Sequence, residues 1–157
     1  MNGQFWHVNT PHKLSCFIDE AKRTFKENGF FQTKFQTEVK RREIQNRLAF
    51  HWYRELEGQG DMTALEYRAK CKLHFACPIL REQSESFNAQ FASVIEPLTY
   101  EQRIACMSEP FDLPVTRLLT VKNMARYLNE VLMFSSERGY KLTTSDDLYR
   151  QAMGIKQ

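Results

Sequence analysis

Apolar residues recur every three or four positions along most of this chain, and almost every such run is bounded by a capping residue or a breaker. That combination constrains the fold most, because a stripe at period 3.6 gathers on one side only in a helix. The clearest run lies between Thr120 and Gly139, where Met124, Tyr127, Leu128, Val131, Leu132 and Ser135 share a face. Thr10 ahead of Pro11 opens another helix. Its predicted buried face is Leu14, Phe17, Ile18, Ala21 and Phe25, and Gly29 is its stop. From about Arg42 to Gln59 the stripe is Ile44, Leu48, Ala49, Trp52, Tyr53 and Leu56, ended by Gly58 and Gly60. Thr63 with Glu66 makes a capping box for a helix that Pro78 is expected to stop. Leu65, Ala69, Leu73 and Ala76 or Cys77 would face inward from it. Phe87, Phe91 and Ile95 suggest a helix closed by Pro97, and Thr99 with Gln102 is a second capping box, ahead of Tyr100–Met107. Pro110 and Pro114 punctuate a loop, and Ser145 begins a last short helix.

Two stretches depart from this period. Gln4 to Val8 reads as a short strand, and Phe30 to Thr37 alternates as a half-buried strand should. The fold class expected is therefore α+β, mostly helical. Residues 1–157 form a single domain, with a β-α-β unit over 1–40 and a mainly helical part over 41–157 that contains a long C-terminal helix. A chain of 157 residues suffices for this, since domains near ~150 residues bury roughly 70% of their unfolded surface. Hydrophobic residues at 42% and charged residues at 26% exclude a disordered chain, a coiled-coil rod or a collagen-like repeat. No apolar run approaches the ~20 residues that span a bilayer, so no membrane segment is expected. Met1 to His7 has neither a basic nor an apolar leader character, so no signal peptide is expected and the cytoplasm is the expected compartment. Cys16, Cys71, Cys77 and Cys106 are then most simply reduced thiols.

The net charge is only +3, but it is unevenly placed. Between residues 34 and 54, Lys34, Lys40, Arg41, Arg42, Arg47 and Arg54 face only Glu38 and Glu43. The 103 residues that follow carry more acids than bases. A concentrated basic stretch is the electrostatic footprint of a phosphate-backbone binder, although a solvated helix start has the same composition. Phe31, Phe35, Phe50, Trp52 and Tyr53 lie beside it. Aromatic rings stack on bases without regard to sequence while cations follow the backbone, so the mixture suits a single strand. Trp52 lies on the apolar stripe and belongs to the core; Phe50 falls off it and is free to stack.

Other chemistries find less support. Cys71-x-x-His74-x-x-Cys77 would share a helix face only loosely and lacks a fourth ligand nearby, so no metal site is expected. No nucleophile elbow and no glycine-rich phosphate loop occurs. Glu38, Asp61 and Asp112 could be drawn together as a metal-dependent nuclease site, but nothing in their spacing demands it. The chain is expected not to be an enzyme and to carry no cofactor.

Arg41-Arg42-Glu43-Ile44-Gln45-Asn46-Arg47 entering an amphipathic helix that bears Phe50 resembles the NinB (Orf) family of phage recombination proteins. Val115-Thr116-Arg117-Leu118-Leu119-Thr120-Val121, its following helix, and Ser136-Glu137-Arg138-Gly139-Tyr140-Lys141-Leu142 resemble that family's C-terminal region. The β-α-β opening, the chain length and the order of elements agree as well. The match covers roughly residues 4–56 and 113–150. Residues 57–112 fall outside it, Arg42 stands where a small residue is common, and Phe50 stands where a tryptophan can occur. The resemblance implies a recombination mediator that binds single-stranded DNA, associates with the host single-strand-binding protein and helps load a strand-exchange recombinase. It implies a homodimer enclosing a basic channel or cleft, without cofactor, in the host cytoplasm. Carried over, the DNA-binding positions are Arg41, Gln45, Asn46, Arg47, Phe50 and Arg138; Lys40 and Arg42 join them from the basic stretch. Gln45 and Asn46 have two roles open: contact with DNA, or fixing the helix start through backbone hydrogen bonds. A different class, a protein-interaction adaptor without DNA affinity serving antidefence or replication, fits the modest net charge.

Overall fold

The computed structural model describes residues 6, 8, 10–33 and 41–155. They fall in two compact units, Met1–Thr37 and Glu38–Gln157. Among the described residues there is helix and loop but no strand, which corrects the expected α+β class and its N-terminal β-α-β unit. Trp6 and Val8 of the first expected strand and Phe30 to Thr33 of the second are not extended ladders; residues 4, 5, 7 and 34–37 lie outside the described residues. The physical reason lies in the helix between them. A parallel β-α-β pair needs its crossover helix to cover the sheet, and β-propensity without a partner strand and a covered face fixes nothing.

In the first unit, that helix is α1 (Pro11–Asn28). Its ends form as the sequence predicts. The Thr10 hydroxyl accepts from the Lys13 N–H at 3.2 Å, and Gly29, at φ 74°, donates its N–H to the Phe25 carbonyl. Its apolar face does not behave as predicted: α1 buries no residue, and Leu14 is 48% and Phe25 58% exposed.

The second unit is built around α2 (Arg41–Gln59), which packs against α3 (Ala64–Cys71), α8 (Val121–Glu137) and α9 (Asp146–Met153). Leu48, Trp52 and Leu56 of α2 are fully buried with Tyr127, Leu128 and Val131 of α8. The Tyr53 and Tyr127 hydroxyls meet inside this core at 2.5 Å, and burial raises the pKa of both phenols above the ordinary value. Both predicted capping boxes are made, Thr63 with Glu66 and Thr99 with Gln102, the second opening α6 (Tyr100–Met107).

Pro78 does not end its helix. A π-helical turn, Lys72–Ala76, follows α3, and α4 (Cys77–Gln83) carries Pro78 in its first turn. The helical path therefore runs on from Ala64 to Gln83. The Cys77 N–H donates to the Lys72 carbonyl five residues back. The extra residue per turn opens the ladder just before the proline, where ring and carbonyl would otherwise clash. The same device recurs after α5 (Glu85–Gln90). There Phe91–Ile95 is π-helical, the Glu96 N–H donates to the Phe91 carbonyl, and Pro97 follows. Here the helix does stop, as predicted. Val115–Leu118 forms a short helix, α7, after the loop at Pro110 and Pro114.

Behind α3, Lys72 is fully buried and donates to the Met107 carbonyl at 3.1 Å and to Asp112 Oδ1 at 2.6 Å. Arg68 grips the same carboxylate with two hydrogen bonds, at 2.7 and 3.2 Å. Burial lowers the pKa of Lys72, and the carboxylate only partly offsets it. At Asp112 burial works upward, but the hydrogen bonds from Arg68 and Lys72 outweigh it and hold the carboxyl below its ordinary value.

Candidate nucleic-acid interface

The basic stretch divides along α2. Arg41 points inward: its Nε donates to the Ala152 carbonyl at 3.0 Å, in the last turn of α9. Its guanidinium lies over Gly154, where a Cβ would sit 2.5 Å from Arg41 Cζ, and Gly154 also needs its positive φ of 70°. Arg42 donates to the Arg117 carbonyl at 2.5 Å and to the Leu119 carbonyl, at the end of α7. Cations on the unpaired carbonyls of a helix C-terminus are doubly favourable, through the hydrogen bond and through the dipole. Gln45 is fully buried, and its Nε2 donates to the carbonyls of Val121 and Ala152, each at 2.9 Å. Of the two roles open to the Gln45-Asn46 pair, Gln45 therefore fixes the junction of α2, α8 and α9.

Asn46, Arg47, Phe50 and Arg54 face solvent. They lie on adjacent turns of one helix face, where residues three and four apart are neighbours. Arg47 and Arg54 form no ion pair among the described residues. Phe50 is 48% exposed; it meets Tyr53 edge-on at 5.9 Å between ring centres, and the Arg68 guanidinium stands 5.5 Å from its centroid. Asp112 anchors Arg68 in that position from behind. Glu43 and Glu57 are exposed on the same helix, so its fully exposed positive charge lies between them, at Arg47 and Arg54.

The structure thus brings Asn46, Arg47 and Phe50 together and adds Arg54 and Arg68. Arg68 had no signal in the sequence as a site residue, because only the packing of α3 on α2 lays it beside Phe50. Arg138 belongs elsewhere: it follows α8, stacks on the Phe134 ring at 4.6 Å and lines a cavity with Lys70. Lys40 lies outside the described residues.

Cys71 and Cys77 are buried, and burial pushes each thiol up to about 12. His74 is exposed and hydrogen-bonds the Tyr100 hydroxyl at 3.0 Å. Among the described residues, no three His, Cys, Asp or Glu side chains could hold a metal ion. Of the acids considered for a nuclease, Asp112 is held by two cations, Asp61 is exposed, and Glu38 lies outside the described residues. No helix among the described residues is long and apolar enough to cross a membrane.

An exposed aromatic ring flanked by arginines defines a surface able to hold a base and its phosphates. No protein-family model, no curated protein and no solved structure matches the chain.

Proposed function

We propose that this protein binds single-stranded DNA through Asn46, Arg47, Phe50 and Arg54, and serves as a recombination mediator. In that role it assists a strand-exchange recombinase onto DNA coated by the host single-strand-binding protein, as a homodimer and without catalysis of its own. The observation that carries DNA binding is Phe50, half exposed between two arginines that form no ion pair among the described residues, with a third guanidinium on its ring. Stacking and phosphate contact are then available within one helix face. The mediator role and its partners are supported by the resemblance of the Arg41–Arg47 and Val115–Leu142 blocks to phage recombination proteins. The β-α-β opening no longer contributes to that resemblance.

The test is fluorescence anisotropy with a labelled single-stranded oligonucleotide and its duplex, with and without magnesium, across a salt series. Two or three phosphate contacts give a log–log salt slope of about −2 on a single strand. Salt-sensitive binding that prefers the single strand and leaves it intact supports the proposal. Magnesium-dependent degradation replaces it with a nuclease, and no binding at low salt removes both.

A protein-interaction adaptor is the second reading, favoured by α1. An 18-residue helix that buries none of its residues, with Leu14, Ile18 and Phe25 exposed, presents apolar side chains to a protein partner.

A further inference from the structure

The second unit contains a cavity of about 410 Å³, within the size range of small-ligand sites. Tyr67, His74, Tyr100 and Phe134 supply aromatic walls, Lys70 and Arg138 supply charge, and no carboxylate lines it. The walls come from α3, the π-helical turn, the start of α6 and α8. The π turn carries His74 into its hydrogen bond with Tyr100, and such turns concentrate at functional sites. Arg138 lies over the Phe134 ring, 4.6 Å from its centroid, so a planar group on that wall packs against the guanidinium together with the ring. Neither Lys70 nor Arg138 forms an ion pair among the described residues.

A second cavity, of about 380 Å³, shares His74 and Tyr100 with the first but has different electrostatics. Its Arg81 is bonded to Asn88 and paired with Glu96, and its Arg103 donates to the carbonyls of Leu98 and Glu96. Of these two cavities, the first therefore combines aromatic walls with cations that form no ion pair and no side-chain hydrogen bond among the described residues.

We propose that this first cavity is a binding site for a nucleotide, the base stacked against Tyr100 and Phe134 and the phosphate held by Lys70 and Arg138. The chemistry required is a planar aromatic group joined to an anion, which a free nucleoside monophosphate and a nucleotide within a single strand both provide. That the source is a strand rests on the DNA-binding proposal above; the site itself does not.

The experiment is calorimetric titration of the full chain with dAMP, deoxyadenosine and inorganic phosphate, and separately with an oligo-dT strand. Wild type should bind dAMP more tightly than either fragment by at least about tenfold, since stacking and charge each contribute on that scale. Tyr100→Ala and Arg138→Gln alter exposed positions, and each should weaken dAMP about tenfold while thermal unfolding stays unchanged. Loss of oligonucleotide affinity in Tyr100→Ala identifies the ligand as part of a strand; unchanged oligonucleotide affinity identifies a free nucleotide. Three results overturn the site: no dAMP binding at millimolar concentration, inorganic phosphate binding as tightly as dAMP, or dAMP affinity indifferent to both Tyr100→Ala and Arg138→Gln.

Discussion

The first residues of α2, Arg41 to Gln45, and the exposed face that follows, Asn46 to Arg54, have similar composition and opposite destinations. Arg41, Arg42 and Gln45 turn toward α7, α8 and α9, where carbonyl oxygens at helix ends engage all three side chains. Asn46, Arg47, Phe50 and Arg54 turn to solvent, with Arg68 laid against the ring and Tyr53 edge-on to it. A cluster of arginines in sequence is thus no measure of free positive charge. Helix C-termini compete with phosphates for the same guanidinium groups, and both present partly negative oxygens.

The strongest way to break this contrast is Gln45→Glu. A carboxylate cannot donate to the Val121 and Ala152 carbonyls, and even with the Arg41 guanidinium on the same Ala152 oxygen it should lower stability by about 2–3 kcal/mol at neutral pH. A shift in the urea midpoint with little change in affinity per folded molecule is the expected result. Phe50→Ala acts on the opposite side. It should weaken single-strand binding by about 1–3 kcal/mol and leave the salt slope alone, because stacking releases no counterions. Arg42→Ala removes two hydrogen bonds from a cation to carbonyls and should cost about 1–2 kcal/mol of stability. Weakened DNA binding at unchanged stability would place Arg42 with the outer group and collapse the distinction. Arg47→Ala should move stability by less than about 0.5 kcal/mol while reducing the salt slope by about 0.7.

Acid sharpens the contrast through Arg68, which joins the outer face to the buried ion cluster. The Asp112 carboxyl is held below its ordinary value of 3.8. Its contribution to stability is present above that value and disappears as the pH falls through the lower, folded-state value. Asp112→Asn should therefore flatten the acid limb of a stability–pH curve below about pH 4. With the anchor of Arg68 weakened, Phe50 should also lose part of its effect on DNA binding.

Legibility in the sequence was uneven for physical reasons that particular residues illustrate. Thr10, Thr63, Thr99, Thr120 and Ser145 all cap as read, because a cap is satisfied by a backbone N–H three residues away. The stripe of α8 is buried and that of α1 is not, although both follow the period equally well. Periodicity states which residues share a face, never whether anything covers it. Pro78 misled because a proline's cost falls on the preceding turn, and a π-helical turn there removes the clash. Phe50 was separable from Trp52 by helical phase alone, and Trp52 is indeed fully buried. Arg41 and Arg42 could not be told from Arg47 in the same way, since their partners lie between 75 and 111 residues away.

The sequence by itself determined the caps, the apolar stripes of α2 and α8 and the position of Phe50 off its stripe, all of which depend on neighbours within a few residues; Leu65, expected to face inward from α3, is 57% exposed. The tertiary structure alone decided the rest. It put Arg41, Arg42 and Gln45 on distant carbonyls, Arg68 beside Phe50, and Lys70 and Arg138 around one cavity. Hydrogen bonds and ring contacts of that kind depend on where separate helices end and cross, and no local rule of spacing encodes that.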